Sequence, residues 1–179
     1  MRTDIEQAAN EPSFAKVLLA LSLVAVLTLA GNAMAQMPAA IATPEEAIVV
    51  TLHAEGAQIY ECKAGSDRKL AWILREPIAT LLLDGKTVGR HSAGPSWEHM
   101  DGSAVTAKVL AHVPGRRPDD ISWLKLRATA HRGRGTLSGV TTVQQINTQG
   151  GVYTGPCDKT GTFHSAPYAA DYVFLQKGG

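Results

Sequence analysis

The sequence predicts an all-β protein, a single-domain antiparallel β-sandwich or barrel of about nine to ten short strands with little helix. Three observations carry this. From Ala47 onward the apolar stretches are short, and several alternate apolar with polar residues, the period of a strand with one wet face. Nearly every stretch is closed by Gly, Pro, Asn or Asp, residues that end regular structure for backbone reasons. Two closures are Asp-Gly pairs, Asp84-Gly85 and Asp101-Gly102, and Asp-Gly between apolar runs is a strong hairpin signal.

The elements follow in order. Ala47–His53 and Ala57–Lys63 read as two strands parted by Glu55-Gly56. Leu70–Arg75 alternates Leu70, Trp72 and Leu74 with Ala71, Ile73 and Arg75, and Glu76-Pro77 stops it. Ile78–Leu83 then turns through Asp84-Gly85 into Thr87–His91. Gly94-Pro95 turns the chain into a short strand at Trp97–Met100. A two-residue loop at Asp101-Gly102 would pair Met100 with Ser103, His99 with Ala104 and Trp97 with Thr106. Ala104–Val113 and Ile121–Ala130 alternate cleanly, and Val140–Asn147 and Tyr168–Leu175 complete the set. The helix candidate is Pro44–Ile48, where Thr43 would cap and Glu45 and Glu46 suit a first turn.

The chain divides into three parts. Val17–Ala30 is a short apolar run, preceded by Lys16 and followed by Ala33-Met34-Ala35. Basic flank, apolar core and A-x-A site predict a signal peptide over residues 1–35, with the mature chain starting near Gln36 in the periplasm or outside the cell. Residues 36–46 read as a flexible Ala/Pro-rich lead, and 47–176 as the β-rich domain. The mature part carries 15 basic and 13 acidic groups, too balanced for a nucleic-acid partner. No later apolar segment is long enough to span a membrane. The two cysteines, Cys62 and Cys157, are an even count in an exported chain, which suggests one disulfide. Such a long closed loop is worth roughly 4–5 kcal/mol in the chain-entropy model. The alternative is two buried free thiols.

Chemistry-bearing residues gather in "GRHSAGPSWEHMDGS", residues 89–103. Three readings compete. As architecture, the stretch is strand, turn, strand and hairpin turn, with Trp97 buried. As a ligand-facing edge, it offers His91, Trp97, Glu98, His99, Asp101 and Ser103, an aromatic ring beside polar groups that suits a small molecule. As a hydrolase site, Ser103, or else Ser96, would be the nucleophile, His91 or His99 the base and Asp101 the orienting carboxylate. No G-x-S-x-G elbow supports the last. Two histidines with Asp101 or Glu98 suit zinc or copper by type, but H-x-H and H-x-x-x-H pairs are missing, so no metal and no cofactor is expected. Arg116, Arg117, Arg132 and Arg134 lie in two loops and suit an anion patch, partly neutralised by Asp119 and Asp120. His53, His112, His131 and His164 stand alone.

"GAQIYECK", "VGRHSAGPSWEHMDGSAV", "ISWLKLRA", "VTTVQQINTQGG" and "PYAADYVF", in that order, resemble an exported bacterial and fungal family, domain of unknown function 3455. The resemblance covers about Ala47 to Leu175. Here the loop from Ala111 to Asp120 is short and basic, a departure from the family. The resemblance implies an exported β-rich domain with Cys62 paired to Cys157, and no activity. A dehydrogenase label attached to some members finds no G-x-G-x-x-G in this chain. The expectation is therefore a non-catalytic binding or envelope-associated module, its partner a small molecule or an envelope component, with a small periplasmic hydrolase as the alternative.

Overall fold

Strong alternation and tight turns give a chain of consecutive antiparallel strands, and the first strand closes onto the last. The computed structural model describes residues 37–178, so the predicted signal peptide and the Gln36 start lie outside the described residues. A 3-10 turn at Ala39–Ile41 leads into β1 (Glu46–Ala64), β2 (Leu70–Leu83), β3 (Lys86–Ser92) and β4 (Ser96–His99). Then follow β5 (Ala104–Val113), β6 (Trp123–Arg132), β7 (Thr142–Gly150) and β8 (Phe163–Lys177). Each strand pairs antiparallel with the next, and β1 pairs with β8 from Glu46↔Lys177 to Glu61↔Phe163. The result is a closed barrel of eight strands, within the all-β sandwich-or-barrel class expected.

Eight strands replace nine or ten because two expected breaks are not breaks. Gly56 continues β1, where a Cβ would collide with the Ile78 carbonyl oxygen and with Ala79. The glycine therefore marks a close strand approach and not a turn. Pro77 continues β2 opposite Gln58, and the β3 ladder begins only at Ala79↔His91. One side of β2 thus has no partner strand at Pro77, the placement in which a sheet tolerates a missing N–H. Arg75 is the extra residue between the pairs Ile59↔Glu76 and Tyr60↔Leu74, a bulge that bends β2.

Two local expectations are corrected. Pro44 and Glu45 form a turn, with Glu46 N–H donating to the Thr43 carbonyl, and Glu46 starts β1, so no helix forms at 44–48. The lead expected to be flexible packs against the outside of the wall: Ile41 is fully buried, Gln144 donates to its carbonyl at 2.6 Å, and Lys125 donates to the Ala42 carbonyl at 2.9 Å.

Inside the barrel lie Leu52, Ala54, Leu81, Val105, Leu126 and Val143, with an aromatic group from β4 and β8. Consecutive turns of a meander alternate between its ends. At the end of the β4–β5 turn, the β6–β7 loop folds in, and Leu137 and Val140 are fully buried against the core. Near the other end, Cys62 on β1 and Cys157 in the β7–β8 loop are bonded, their Cα atoms 5.6 Å apart. Trp72 pins the same loop, its indole N–H shared between the carbonyls of Gly155 and Pro156 at 3.0 Å each. Among the described residues no helix is long and apolar enough to cross a membrane.

Candidate functional site

β3 and β4 place the first two residues of the site. His91 lies directly opposite Trp97 in the ladder, and both side chains are buried. Their rings stack, with centroids 4.6 Å apart and planes 8° from parallel. Across the interior, Tyr172 of β8 meets the edge of Trp97 at 5.2 Å, and Phe174 meets it at 6.0 Å. Offset stacks and edge-to-face contacts of this kind favour one fixed arrangement. Small residues leave room beside it: Ala79 faces His91, and Ala107 and Ala170 also point to the core.

A cavity of about 340 Å³ opens at the end that carries the β3–β4 turn and the β5–β6 loop. Gly94, Pro95, Ile121 and Ser122 form part of its rim. Leu74, Pro77, Val109, Leu124 and Leu126 make its wall mostly apolar. Gln58, His91, Trp97 and Gln145 are polar-bearing residues of its lining. Arg75 and Glu76, also at the rim, pair with each other at 3.4 Å.

Some of those polar atoms are satisfied. Gln145 donates to the Ser122 carbonyl at 2.8 Å and accepts from the Tyr172 hydroxyl at 2.9 Å. Tyr172 thus has its own proton engaged and takes the Tyr168 hydroxyl at 3.3 Å as a donor. Burial raises the pKa of both tyrosines, so they stay neutral. His91 Nδ1–H donates to the Ser96 carbonyl at 3.0 Å, which leaves Nε2 as an acceptor. Burial pulls this imidazole down to about 4, against a smaller upward pull from that carbonyl, and the ring is uncharged at neutral pH. Two atoms on lining residues are not satisfied, and a third, the Trp123 indole N–H, is buried and unpartnered away from the cavity lining. The Trp97 indole N–H and the Gln58 Oε1 are buried with no hydrogen-bond partner. Trp97 is 1% exposed and Gln58 5%.

The other sequence candidates lie elsewhere. Glu98 points out of the wall and bridges Arg90 at 2.8 Å and Arg132 at 3.2 Å. Those partners, Arg90 first, hold its carboxyl below the usual range. His99, Asp101 and Ser103 come together at the opposite end. Asp101 Oδ1 accepts the Ser103 N–H at 2.9 Å and the Ser103 hydroxyl at 2.6 Å. Asp101 Oδ2 accepts the Thr136 N–H and hydroxyl, each at 2.8 Å. The Ser103 hydroxyl and the Thr136 N–H lead the forces that hold this carboxyl well below the usual range. Ser103 is fully buried, and its oxygen accepts the Leu137 N–H at 3.0 Å. His99 Nδ1 sits 3.0 Å from Asp101 Oδ2. The serine proton therefore goes to the aspartate, and no histidine nitrogen is bonded to the serine oxygen. His91, the other candidate base, faces the cavity at the far end.

Three of the four loop arginines, Arg116, Arg117 and Arg132, are also engaged. Arg117 pairs with Asp120 at 3.0 Å and Asp119 at 3.5 Å, and Arg116 lies over Trp123 at 5.1 Å. Asp120 also accepts the Gly150 N–H at 2.8 Å, tying the β5–β6 loop to the end of β7. Among the described residues no three His, Cys, Asp or Glu side chains gather as a metal site.

Gln58, Gln145, Tyr168 and Tyr172 were not singled out from the sequence as site residues. A signal existed: Gln58 continues the inward phase of Leu52, Ala54 and Gly56, and Gln145 that of Val143. A glutamine on the apolar phase of a strand marks a polar group carried into a core.

A closed eight-stranded meander, plugged at one end and open to a small apolar cavity at the other, defines an up-and-down β-barrel. The chain belongs to the family described as protein of unknown function (DUF3455), whose profile matches residues 42–176. No curated protein and no solved structure gives a match.

Proposed function

We propose that this protein is an exported, non-catalytic barrel that binds a small, largely apolar molecule in its open mouth. The observation that carries the reading is the open apolar cavity, two of whose lining residues, Trp97 and Gln58, each hold a buried polar atom without a partner, Nε1–H and Oε1, just behind its surface. A buried polar group without a partner costs about 1–3 kcal/mol. A ligand that supplied the partners would recover that cost on binding. The cavity size falls within the range of small-molecule sites. Export is supported by the apolar leader and by the Cys62–Cys157 bond, which persists in an oxidising compartment. The β1–β8 seam is paired, and the stretches bare on one side, Leu70–Ile78 of β2 and Lys108–Val113 of β5, flank the cavity mouth, where an added strand would compete with the ligand.

Native mass spectrometry of the protein, taken from its exporting host without organic solvent, tests this. A small-molecule adduct that disappears on solvent extraction is the expected result. The variant Val109→Trp, at a half-exposed rim position, should lose the adduct while unfolding at the parent's temperature. An adduct unchanged in that variant would sink the proposed location.

A further inference from the structure

Resting on the reading of the mouth as a binding site, we infer its ligand class: neutral, ring-bearing molecules that carry both a hydrogen-bond donor and an acceptor, an aryl alcohol of the phenol type being the minimal case. Each part of the statement follows from a feature of the wall. The ring follows from the two aromatic side chains that line the cavity, His91 and Trp97, whose stacked pair is held in place from behind by Tyr172. The size follows from a cavity of about 340 Å³, near the lower end for small-molecule sites.

The hydrogen-bonding pattern follows from the unmet groups. An indole N–H only donates, so Trp97 calls for an acceptor on the ligand. Gln58 Oε1 only accepts, so it calls for a donor. His91 Nε2, with its Nδ1 proton held by the Ser96 carbonyl, is a second acceptor on the same wall. One hydroxyl on an aromatic ring supplies both functions. Neutrality follows from the lack of a counter-charge. The only charged groups lining the described cavity, Arg75 and Glu76, neutralise each other at the rim. A carboxylate or ammonium buried below them would lose its water without an opposite charge.

The test is a titration of the exported protein with naphthol, naphthalene and naphthoate, read by the indole N–H resonances and by calorimetry. Trp97→Phe assigns the Trp97 resonance by its loss. Naphthol should bind roughly tenfold tighter than naphthalene, as one recovered hydrogen bond to a buried group implies. It should shift the Trp97 N–H, naphthalene should shift it less, and naphthoate should bind weakest. Gln58→Leu should bring naphthol down to the naphthalene affinity. If naphthalene matches naphthol, or naphthoate binds best, the mouth is a binding site but the ligand class is wrong. If Gln58→Leu keeps the preference for naphthol, the assigned contact is wrong. If none of the three binds, both this inference and the mouth as a binding site fall.

Discussion

The two ends of the barrel treat buried polar groups in opposite ways. At the plugged end, every oxygen of Asp101 is used twice, and Ser103 both donates and accepts. The result is a polar knot that fixes the β4–β5 turn to the β6–β7 loop. At the open end, the indole N–H groups of Trp97 and Trp123 and the Gln58 carbonyl oxygen are buried with nothing to bond. Saturated polar groups specify a fold, and unsaturated ones reserve a capacity. The contrast falls within one stretch of sequence, since Trp97 and Asp101 are close neighbours in the chain.

Breaking the knot should give the largest effect. Asp101→Ala leaves the N–H groups of Ser103 and Thr136 without their acceptor. We expect a loss of about 3–4 kcal/mol in urea unfolding, since bonds to a charged acceptor are worth about 1.5–3 kcal/mol each and are partly replaced by water. Affinity at the mouth should survive in whatever fraction stays folded. A variant as stable as the parent would mean the knot is ornamental.

Acid should attack the other end. Free histidine takes a proton near 6.5, while buried His91 holds off until about 4. Between those values the unfolded chain binds a proton that the folded chain refuses, so the His91 contribution to stability falls as pH drops through that window and changes no further below it, where the carboxylates take over. The full contribution is about 3 kcal/mol. His91→Phe should flatten the slope between pH 4 and 6.5 in unfolding midpoints compared across pH. An unchanged slope would show that His91 is not its source.

A smaller effect separates the two Asp-Gly turns. Gly102 has φ of +87° in open space, so Gly102→Val meets backbone strain alone, about 1–2 kcal/mol. Asp84 and Gly85 both have positive φ, so Asp84→Val should be penalised as well, whereas Asp101→Val would lose bonds without a φ penalty. Chemical unfolding of Gly102→Val and Asp84→Val checks the pair; parental stability in either would overturn its turn assignment.

The smallest effect should have the opposite sign. Gln58→Leu replaces an unpartnered acceptor by an apolar group of similar length, and the ligand-free protein should gain about 1 kcal/mol. A destabilised variant would show that Gln58 is already satisfied in the empty barrel. Unfolding of ligand-free protein, prepared by solvent extraction, is the measurement.

Much of the fold was legible because alternation reports one wet face whatever the partner strand. What alternation does not report is whether a glycine turns the chain or admits a neighbour. Gly56 and Pro77 carried turn chemistry, yet both are spanned by long strands for reasons that lie on other strands. The Asp101-Gly102 hairpin was legible, but its register was off by one. A type I′ loop needs positive φ at both residues, and only Gly102 has it. His99 N–H donates to Ser103, Gly102 N–H to His99, and Trp97 pairs with Val105 and not Thr106. Three loop residues with the glycine left-handed form a bulged turn.

The candidate site was half legible for a related reason. His91 and Trp97 were found because they lie in a dense polar stretch, and that density also drew in Glu98, His99, Asp101 and Ser103. Strand alternation sends Glu98 outward, and the turn holds the last three at the other end. Gln58 and Gln145 were missed because only barrel closure carries them to the same cavity. The pairing of Cys62 with Cys157 was legible from the even count, the predicted leader and the family resemblance, and the bond is present.

Closure through β1 and β8 also orders events in time. A chain that emerges from its N-terminus makes β1 first and β8 last, and the seam joins residues as distant as His53 and Asp171, 118 positions apart. Long-range pairings of this kind fold slowly, on roughly a millisecond to second scale. Throughout that wait β1 has one bare edge, the condition in which strands pair with the wrong chain. Cys62, on the same strand, becomes linked to the loop just ahead of β8. Once that bond forms, β8 is tethered to the edge it must cover. The oxidant that makes the bond would then act as a chaperone of the seam, and a reductant present during folding should raise aggregation more than the same reductant added afterwards.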